Sequence, residues 1–457
     1  MVILGAGLLT VGCAKKQTAL FRTLKSPEIA AQLKSFVAEK ETQANSAVTA
    51  DGQAPPPEFK VFFAAAQKGD WLAVSNRFED FRNHAGQYEN TGKTDERLRG
   101  TAWEDIKEVW GAFDLFNTAG EKYATAFGRD IIQSIPPGSI YFGGTDSGRF
   151  LVTAMCQSHV NGDPFFVLTQ NALADSSYLA YVRGMYDGQI YTPTGEDSQK
   201  CFQDYTADAT RRRQSHQLKP GEDVAMDGNR RVQVSGQVAV MEINGLLVKT
   251  MFDKNPKREF YIEESFPLDW MYPQLEPHGL IMKIDRQPIT SLSAEIVQTD
   301  RDYWIKYVTP MIGDWLTPDT SLADVTAFVE KVYGKKDLSG FTGDPEFIHS
   351  SDAQKMFAKL RSSIGGVYAW RAQQSGDEAE KVRMNNAADF AFRQALALCP
   401  SSPEAVYRYV NLLVGMNRKA DALLVAETAA SLPHLAGNDG GQLRGLIETL
   451  KRSQPNN

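Results

Sequence analysis

Between Phe59 and Gln133 the apolar residues recur at helical spacing. FKVFFAAAQ, a Lys68-Gly69-Asp70 turn and WLAVSNRFEDFR predict two short amphipathic helices in a hairpin. Segments 102–114 and 121–133 continue the pattern until Pro136-Pro137-Gly138 ends it. Beyond that break the period shortens. SIYF (139–142), FFVLT (165–169), EFYI (259–262) and GLIMKI (279–284) are short apolar runs rich in β-branched and aromatic residues, which predict strands. Helical spacing returns between them, with Leu179, Val182 and Tyr186 at i, i+3, i+7 and a further helix over 238–252. Strands alternating with helices predict an α/β domain with a mainly parallel sheet, because parallel strands need crossover connections.

From about Asp352 the pattern is helical to the end, and Ala388, Phe392 and Ala395 recur 34 residues on as Ala422, Ala426 and Ala429. Pro400 comes at the repeat end and Pro433 falls one residue short of its counterpart. That period with small residues at these positions resembles the tetratricopeptide repeat, where small side chains let paired helices approach closely. Segment 356–372 reads as a third, degenerate helix pair.

The N-terminal end has a different pattern. Residues 2–12 (VILGAGLLTVG) form an apolar run that suits the core of a signal peptide and falls short of the ~20 residues that span a bilayer. It ends in Thr10-Val11-Gly12-Cys13-Ala14, which resembles the lipobox of bacterial lipoproteins. The resemblance implies lipidation of Cys13 and, because Ala14 is no retention signal, a place at the outer membrane. After an amphipathic stretch over 27–40, the polar segment EKETQANSAVTADGQAPPPEF lacks periodic apolar residues and reads as a linker. The expected organisation is a signal and lipobox over 1–13, a tether over 14–57, a helical hairpin region over 58–135, an α/β domain over 136–345 and tetratricopeptide-like repeats over 346–457.

Composition narrows the function classes. With 42% hydrophobic and 23% charged residues the chain can bury enough apolar surface to fold. A net charge of −7 argues against nucleic acid as a partner, since phosphate binding normally needs a basic field. The basic run Arg211-Arg212-Arg213 lies in a polar stretch and reads as a solvated loop. Four scattered cysteines form neither a disulfide framework nor a zinc site, and Cys156, in an apolar helix, reads as a small buried hydrophobe. The six histidines show no short metal-ligand spacing, so neither a metal nor a cofactor is expected.

Residues from about 130 onward resemble the soluble C-terminal part of bacterial O-mannosyltransferase-like membrane proteins of the GT-C type. The residues that carry the likeness are IIQSIPPGSIYFGGTDSGRF, NPKREFYIEES, YPQLEPHGLIMKI and AFRQALALCPSSPEAVYRYVNLL. The likeness implies an extracytoplasmic α/β domain followed by repeats. It implies no catalysis here, because that family's catalytic acid sits in its multi-spanning membrane part, and no position of this chain matches it. A binding or assembly role in envelope glycan or glycoprotein pathways is the implied function, with a protein partner on the repeats and a membrane contact through the anchor.

The most suggestive local motif is Gly143-Gly144-Thr145-Asp146-Ser147-Gly148-Arg149, between a strand and a helix. Backbone N–H groups and a helix N-terminus there suit an anion such as a phospho-sugar or acidic glycan, with Arg149 closing a bidentate contact. The same residues also suit a plain turn and helix cap. Gln170 and Asn171 follow the next strand, where open parallel sheets gather ligands, and they are equally suited to capping. Glu263 and Glu264 are adjacent on a strand, so their side chains point to opposite faces and do not form a catalytic pair. Trp270, Tyr272, Tyr303, Trp304 and Tyr307 suit either sugar stacking or core packing. The alternative to a scaffold is an enzyme acting on a nucleotide- or phospho-sugar at the glycine-rich turn.

Overall fold

The computed structural model describes residues 24–84, 95–98, 100–144, 147–219, 221–226, 232–263, 268–432 and 438–452. Cys13, Thr145, Asp146, Glu264 and Pro433 lie outside the described residues. The chain divides into two interleaved units, one of Met1–Asn117 with Pro137–Arg258, the other of Thr118–Pro136 with Glu259–Asn457. Both mix helices with short strands, so the fold is of mixed α and β composition and mostly helical.

The first unit opens with α1 (Pro27–Ala50), whose Ser26 hydroxyl accepts the Ile29 N–H at 3.3 Å as an N-cap and whose first residue is proline. Its buried stripe is Ile29, Leu33, Phe36, Val37, Lys40, Ala44 and Val48. The expected tether over 14–57 is corrected here, because the segment read as linker after Lys40 is helical as far as Ala50. A lysine and an alanine hold positions that an apolar pattern would have marked. The hairpin α2 (Pro57–Gln67) and α3 (Trp71–Arg82) follows, turned at Gly69 with φ 71° and capped by Asp70, whose carboxylate accepts the Ala73 N–H at 3.1 Å. Next comes α4 (Ala102–Thr118).

After α5 (Glu121–Ser134), which belongs to the second unit, β1 (Ile140–Gly143), α6 (Ser147–Met155) and β2 (Phe166–Thr169) form a parallel pair with a helical crossover, in register from Ile140↔Phe166 to Gly143↔Thr169. The unit continues with α7 (Ser176–Tyr186), α8 (Gly195–Gln214), the antiparallel hairpin β3 (Asp223–Met226) and β4 (Val232–Ser235), and α9 (Gly236–Lys254). Tyr205, Ala209, Val224 and Ala239 join α8, the hairpin and α9 in a small core. The three arginines read as a loop are the last turn of α8, where positive charge meets the helix C-terminus favourably. Arg212 there donates to Glu222 at 3.2 Å.

In the second unit β5 (Phe260–Ile262), β6 (Leu275–His278) and β7 (Ile281–Ile284) pair antiparallel, β7 being bonded to both others. A mainly parallel sheet is therefore corrected to a mixed strand set: β1 and β2 run parallel, whereas β5, β6 and β7 pair antiparallel. The two-residue β6–β7 turn has Gly279 at φ 62°, which lets the strand reverse without a crossover helix.

Helices complete the unit. They are α10 (Ala294–Ile312), α11 (Leu322–Phe328) running into a π-helical turn (Val329–Gly334), α12 (Pro345–His349), α13 (Ser351–Gln374), α14 (Glu378–Leu398), α15 (Pro403–Gly415), α16 (Lys419–Ala430) and α17 (Asn438–Arg452). The degenerate helix pair expected over 356–372 is one continuous helix, α13. Its Gly365 lies so close to α14 that an added Cβ would stand 3.2 Å from the Phe392 ring, so the small residue serves close packing rather than a turn. Ala388, Phe392 and Ala395 on α14, and Ala422, Ala426 and Ala429 on α16, are all buried. No described helix is long and apolar enough to cross a membrane.

Candidate functional site

The register Gly143↔Thr169 brings the ends of β1 and β2 level, so the glycine-rich turn and Gln170 share one end of the parallel pair. Gly143 is tightly placed: a Cβ there would lie 2.9 Å from the Gly148 carbonyl carbon and oxygen, all of it backbone. The chain can therefore turn from β1 into α6 only with glycine at this position. Gly143, Gly144, Ser147, Arg149 and Gln170 are buried, and Asn171 is half-buried, its side-chain oxygen accepting from Gln170 Nε2 at 3.1 Å.

Arg149 does not face an open crevice. Its guanidinium turns inward onto α4, donating from Nε and Nη2 to Glu108 Oε1 at 3.0 and 2.7 Å and from Nη2 to Glu104 Oε2 at 2.8 Å. It also lies over the Tyr178 ring at 5.1 Å. The guanidinium expected to close a contact to an anion is thus 6% exposed and matched to two carboxylates of the chain itself. The contact to a phosphate or acidic sugar would have to replace these partners.

That pairing is one side of a larger buried network. Lys40 on α1, fully buried, meets Glu108 Oε2 at 2.7 Å and Asp105 Oδ1 at 3.4 Å, and donates to the Tyr181 hydroxyl at 2.6 Å. Its ammonium also stands 2.8 Å from His159 Nδ1. Because an ammonium only donates, that ring nitrogen must be the acceptor and the imidazole neutral. Tyr181 in turn donates its hydroxyl hydrogen bond to Glu108 Oε2 at 2.7 Å, and Lys107 reaches Glu104 Oε1 at 2.6 Å.

Helix periodicity explains the α4 side. Glu104 and Glu108 are four residues apart and Asp105 and Glu108 three, so all three carboxylates reach the same neighbourhood while Trp103, Ile106 and Val109 fill the core around them. The α1 side is pinned by Gln32, which donates to the Ala154 and Cys156 carbonyls at 3.2 and 2.6 Å, and by Glu39, which accepts from the Ser158 hydroxyl.

Burial and charge divide the protons of this network unequally. Desolvation raises the Asp105 carboxyl well above its ordinary range, against the pull of Lys40. Burial would raise Glu108 too, but Lys40 and Arg149 outweigh it and hold that carboxyl below its ordinary range. Burial and then Lys40 push His159 down to about 3. Two cations, Lys40 and Arg149, thereby face the two carboxylates Glu104 and Glu108, with Lys107 at the edge. This buried arrangement holds α1, α4, α6 and α7 together.

An acid response follows. The unfolded imidazole, with an ordinary value near 6.5, takes up a proton below that pH, whereas folded His159 refuses one down to about 3. The unfolded state binds more protons across this window, so stability falls as pH falls from about 6.5 toward 3. Asp105 acts in the opposite sense above its ordinary value of 3.8, where the folded state holds the extra proton. Urea titrations between pH 5 and 6.5 are expected to show His159→Gln reducing the slope of stability against pH by up to about 1.4 kcal/mol per pH unit, the worth of one proton. An identical slope in both proteins would mean that folded His159 takes up its proton as the unfolded chain does.

The other predicted positions are dispersed. Glu263 is buried beside Lys359 at 3.2 Å. Trp304 is fully buried, Tyr303 stacks on Tyr307 at 5.5 Å, and Tyr272 stacks on Trp370. Cys156, Cys201 and Cys399 are buried. Among the described residues no group of three His, Cys, Asp or Glu is placed to hold a metal ion. Lys40, Glu104, Asp105, Glu108, His159 and Tyr181 escaped the sequence reading. The one available signal was three carboxylates within a single turn of a helix otherwise lined with Trp103, Ile106 and Val109. No protein-family model, curated protein or solved structure matches the chain.

Proposed function

We propose that the chain is a lipid-anchored envelope protein that binds and scaffolds rather than catalyses, holding a protein partner on tetratricopeptide-like C-terminal helices in a glycan or glycoprotein assembly pathway. The observation that carries the reading is the run of consecutive short-looped helices from α13 to α16, with buried alanines where α14 and α16 meet their neighbours. Stacked helix pairs of this kind present an extended surface suited to a protein partner. The inward Arg149 weighs against the rival reading of a phospho-sugar enzyme at the glycine-rich turn, since its cation already serves Glu104 and Glu108. The membrane part of the proposal rests on the lipobox-like sequence ending at Cys13 and the resemblance to O-mannosyltransferase-like proteins.

The test uses the full chain in its native envelope, cross-linked, with captured partners identified by mass spectrometry. Ala422→Trp, at a fully buried position of α16, is expected to destabilise the second unit by about 1–3 kcal/mol through overpacking and to remove a specific partner from the captured set. Cys13→Ala is expected to move the protein from the detergent phase to the aqueous phase. Unchanged capture by the destabilised Ala422 variant would sink the scaffold reading, and unchanged partition would sink the anchor.

A further inference from the structure

The second unit contains a cleft of about 240 Å³ between the β6–β7 hairpin and α10. Helical spacing sets one wall: Glu295, Thr299 and Tyr303 fall at i, i+4 and i+8 of α10, with Asp300 beside them. The other wall is Glu276 on β6 and the Gly279 turn, whose absent Cβ would lie 3.6 Å from the Tyr303 hydroxyl. Two of the three carboxylates, Glu276 and Glu295, belong to no ion pair among the described residues, and no cationic side chain lines the cleft. The third, Asp300, is 5% exposed. Its Oδ2 accepts from Arg361 at 2.8 Å and Tyr368 at 2.8 Å, while its Oδ1 has no hydrogen-bond partner.

A buried carboxylate oxygen without a donor is costly, and such atoms ordinarily find one. Glu276 is in a related position: desolvation, and then Asp285, raise its carboxyl above the ordinary range even though Lys283, His278 and Arg371 pull it down. Tyr303, half-buried and backed by Tyr307 at 5.5 Å, adds a fixed aromatic ring. Acceptors on two sides and a π face between them suit a positive donor with an apolar stem. A bare metal ion fits poorly, because no three metal-binding side chains converge among the described residues.

We propose that this cleft binds an organic cation, an alkylammonium or guanidinium head group of the size of a lysine or arginine side chain. The cation sits between Glu276 and Glu295 with its stem along Tyr303. This assignment stands independently of the scaffold reading, because it rests on the cleft alone.

Calorimetry on the full chain tests it with agmatine, which carries both head groups, with an Arg-Lys-Arg-Lys peptide, and with glucose and inorganic phosphate. Saturable binding of agmatine or the peptide is expected, weakened at least tenfold by Glu276→Gln with Glu295→Gln and reduced by salt. Agmatine binding identifies a free small cation as the source, whereas peptide binding without agmatine binding identifies the side chain of a partner. Thermal unfolding of the double variant, expected to match the wild type within a few degrees, separates a lost site from a lost fold. Binding of neither cation, equal binding by a folded double variant, or glucose bound as tightly as the cations would overturn the proposal.

Discussion

Arg149→Ala is expected to cost the first unit about 3–5 kcal/mol, a large part of the stability of an ordinary domain. The guanidinium is the shared partner of Glu104 and Glu108, each about 1% exposed, and its removal leaves buried negative charge with only Lys40 and Lys107 to answer it. The loss should exceed that of Arg149→Lys, since an ammonium keeps the charge but cannot span both carboxylates from one planar fork. Urea unfolding of the three proteins, followed by a signal from the first unit, gives the comparison. A cost below about 0.5 kcal/mol, typical of a surface substitution, would mean that the guanidinium is solvated and free for a ligand after all.

The same residue marks the limit of what the sequence discloses. The α2–α3 hairpin is legible because Phe59, Phe62, Phe63 and Phe78 sit at helical spacing around a Gly69-Asp70 turn with its own cap. The apolar runs at β1, β2, β5 and β7 are legible for the same local reason. Strand direction is not, because two-residue periodicity marks a strand without naming its partner, and β6 carries Glu276, Pro277 and His278 where an apolar run would be sought. The helix after Lys40 is hidden because its buried face holds a lysine. That lysine can be buried only because Glu108, Tyr181 and His159 arrive from segments 68, 141 and 119 residues away along the chain. A glycine-rich strand-to-helix turn announces itself locally, but the destination of its arginine depends on α4, and no local pattern contains that information.

A second enclosed pair governs the second unit, and Arg361→Met is expected to destabilise it by about 3–5 kcal/mol. Arg361, 1% exposed, donates from Nη1 to Asp300 Oδ2 at 2.8 Å and from Nε to Gln394 Oε1 at 2.7 Å, and it lies over the Trp304 ring at 5.1 Å. One side chain on α13 thus ties together α10 and α14. Methionine keeps much of the volume, so the expected loss comes from the stranded Asp300 carboxylate, left with the Tyr368 hydroxyl, and from the unpaired Gln394 oxygen. Asp300→Asn in the same chain removes the stranded charge and should restore part of the loss, while Asp300→Asn alone should be destabilising in its own right. A double-mutant cycle in urea reads the coupling directly, with an expected value of about 1–3 kcal/mol for groups in one buried network. Additive costs for Arg361 and Asp300 would show that the pair contributes through packing alone, and the wall of the cation cleft would then owe nothing to Arg361.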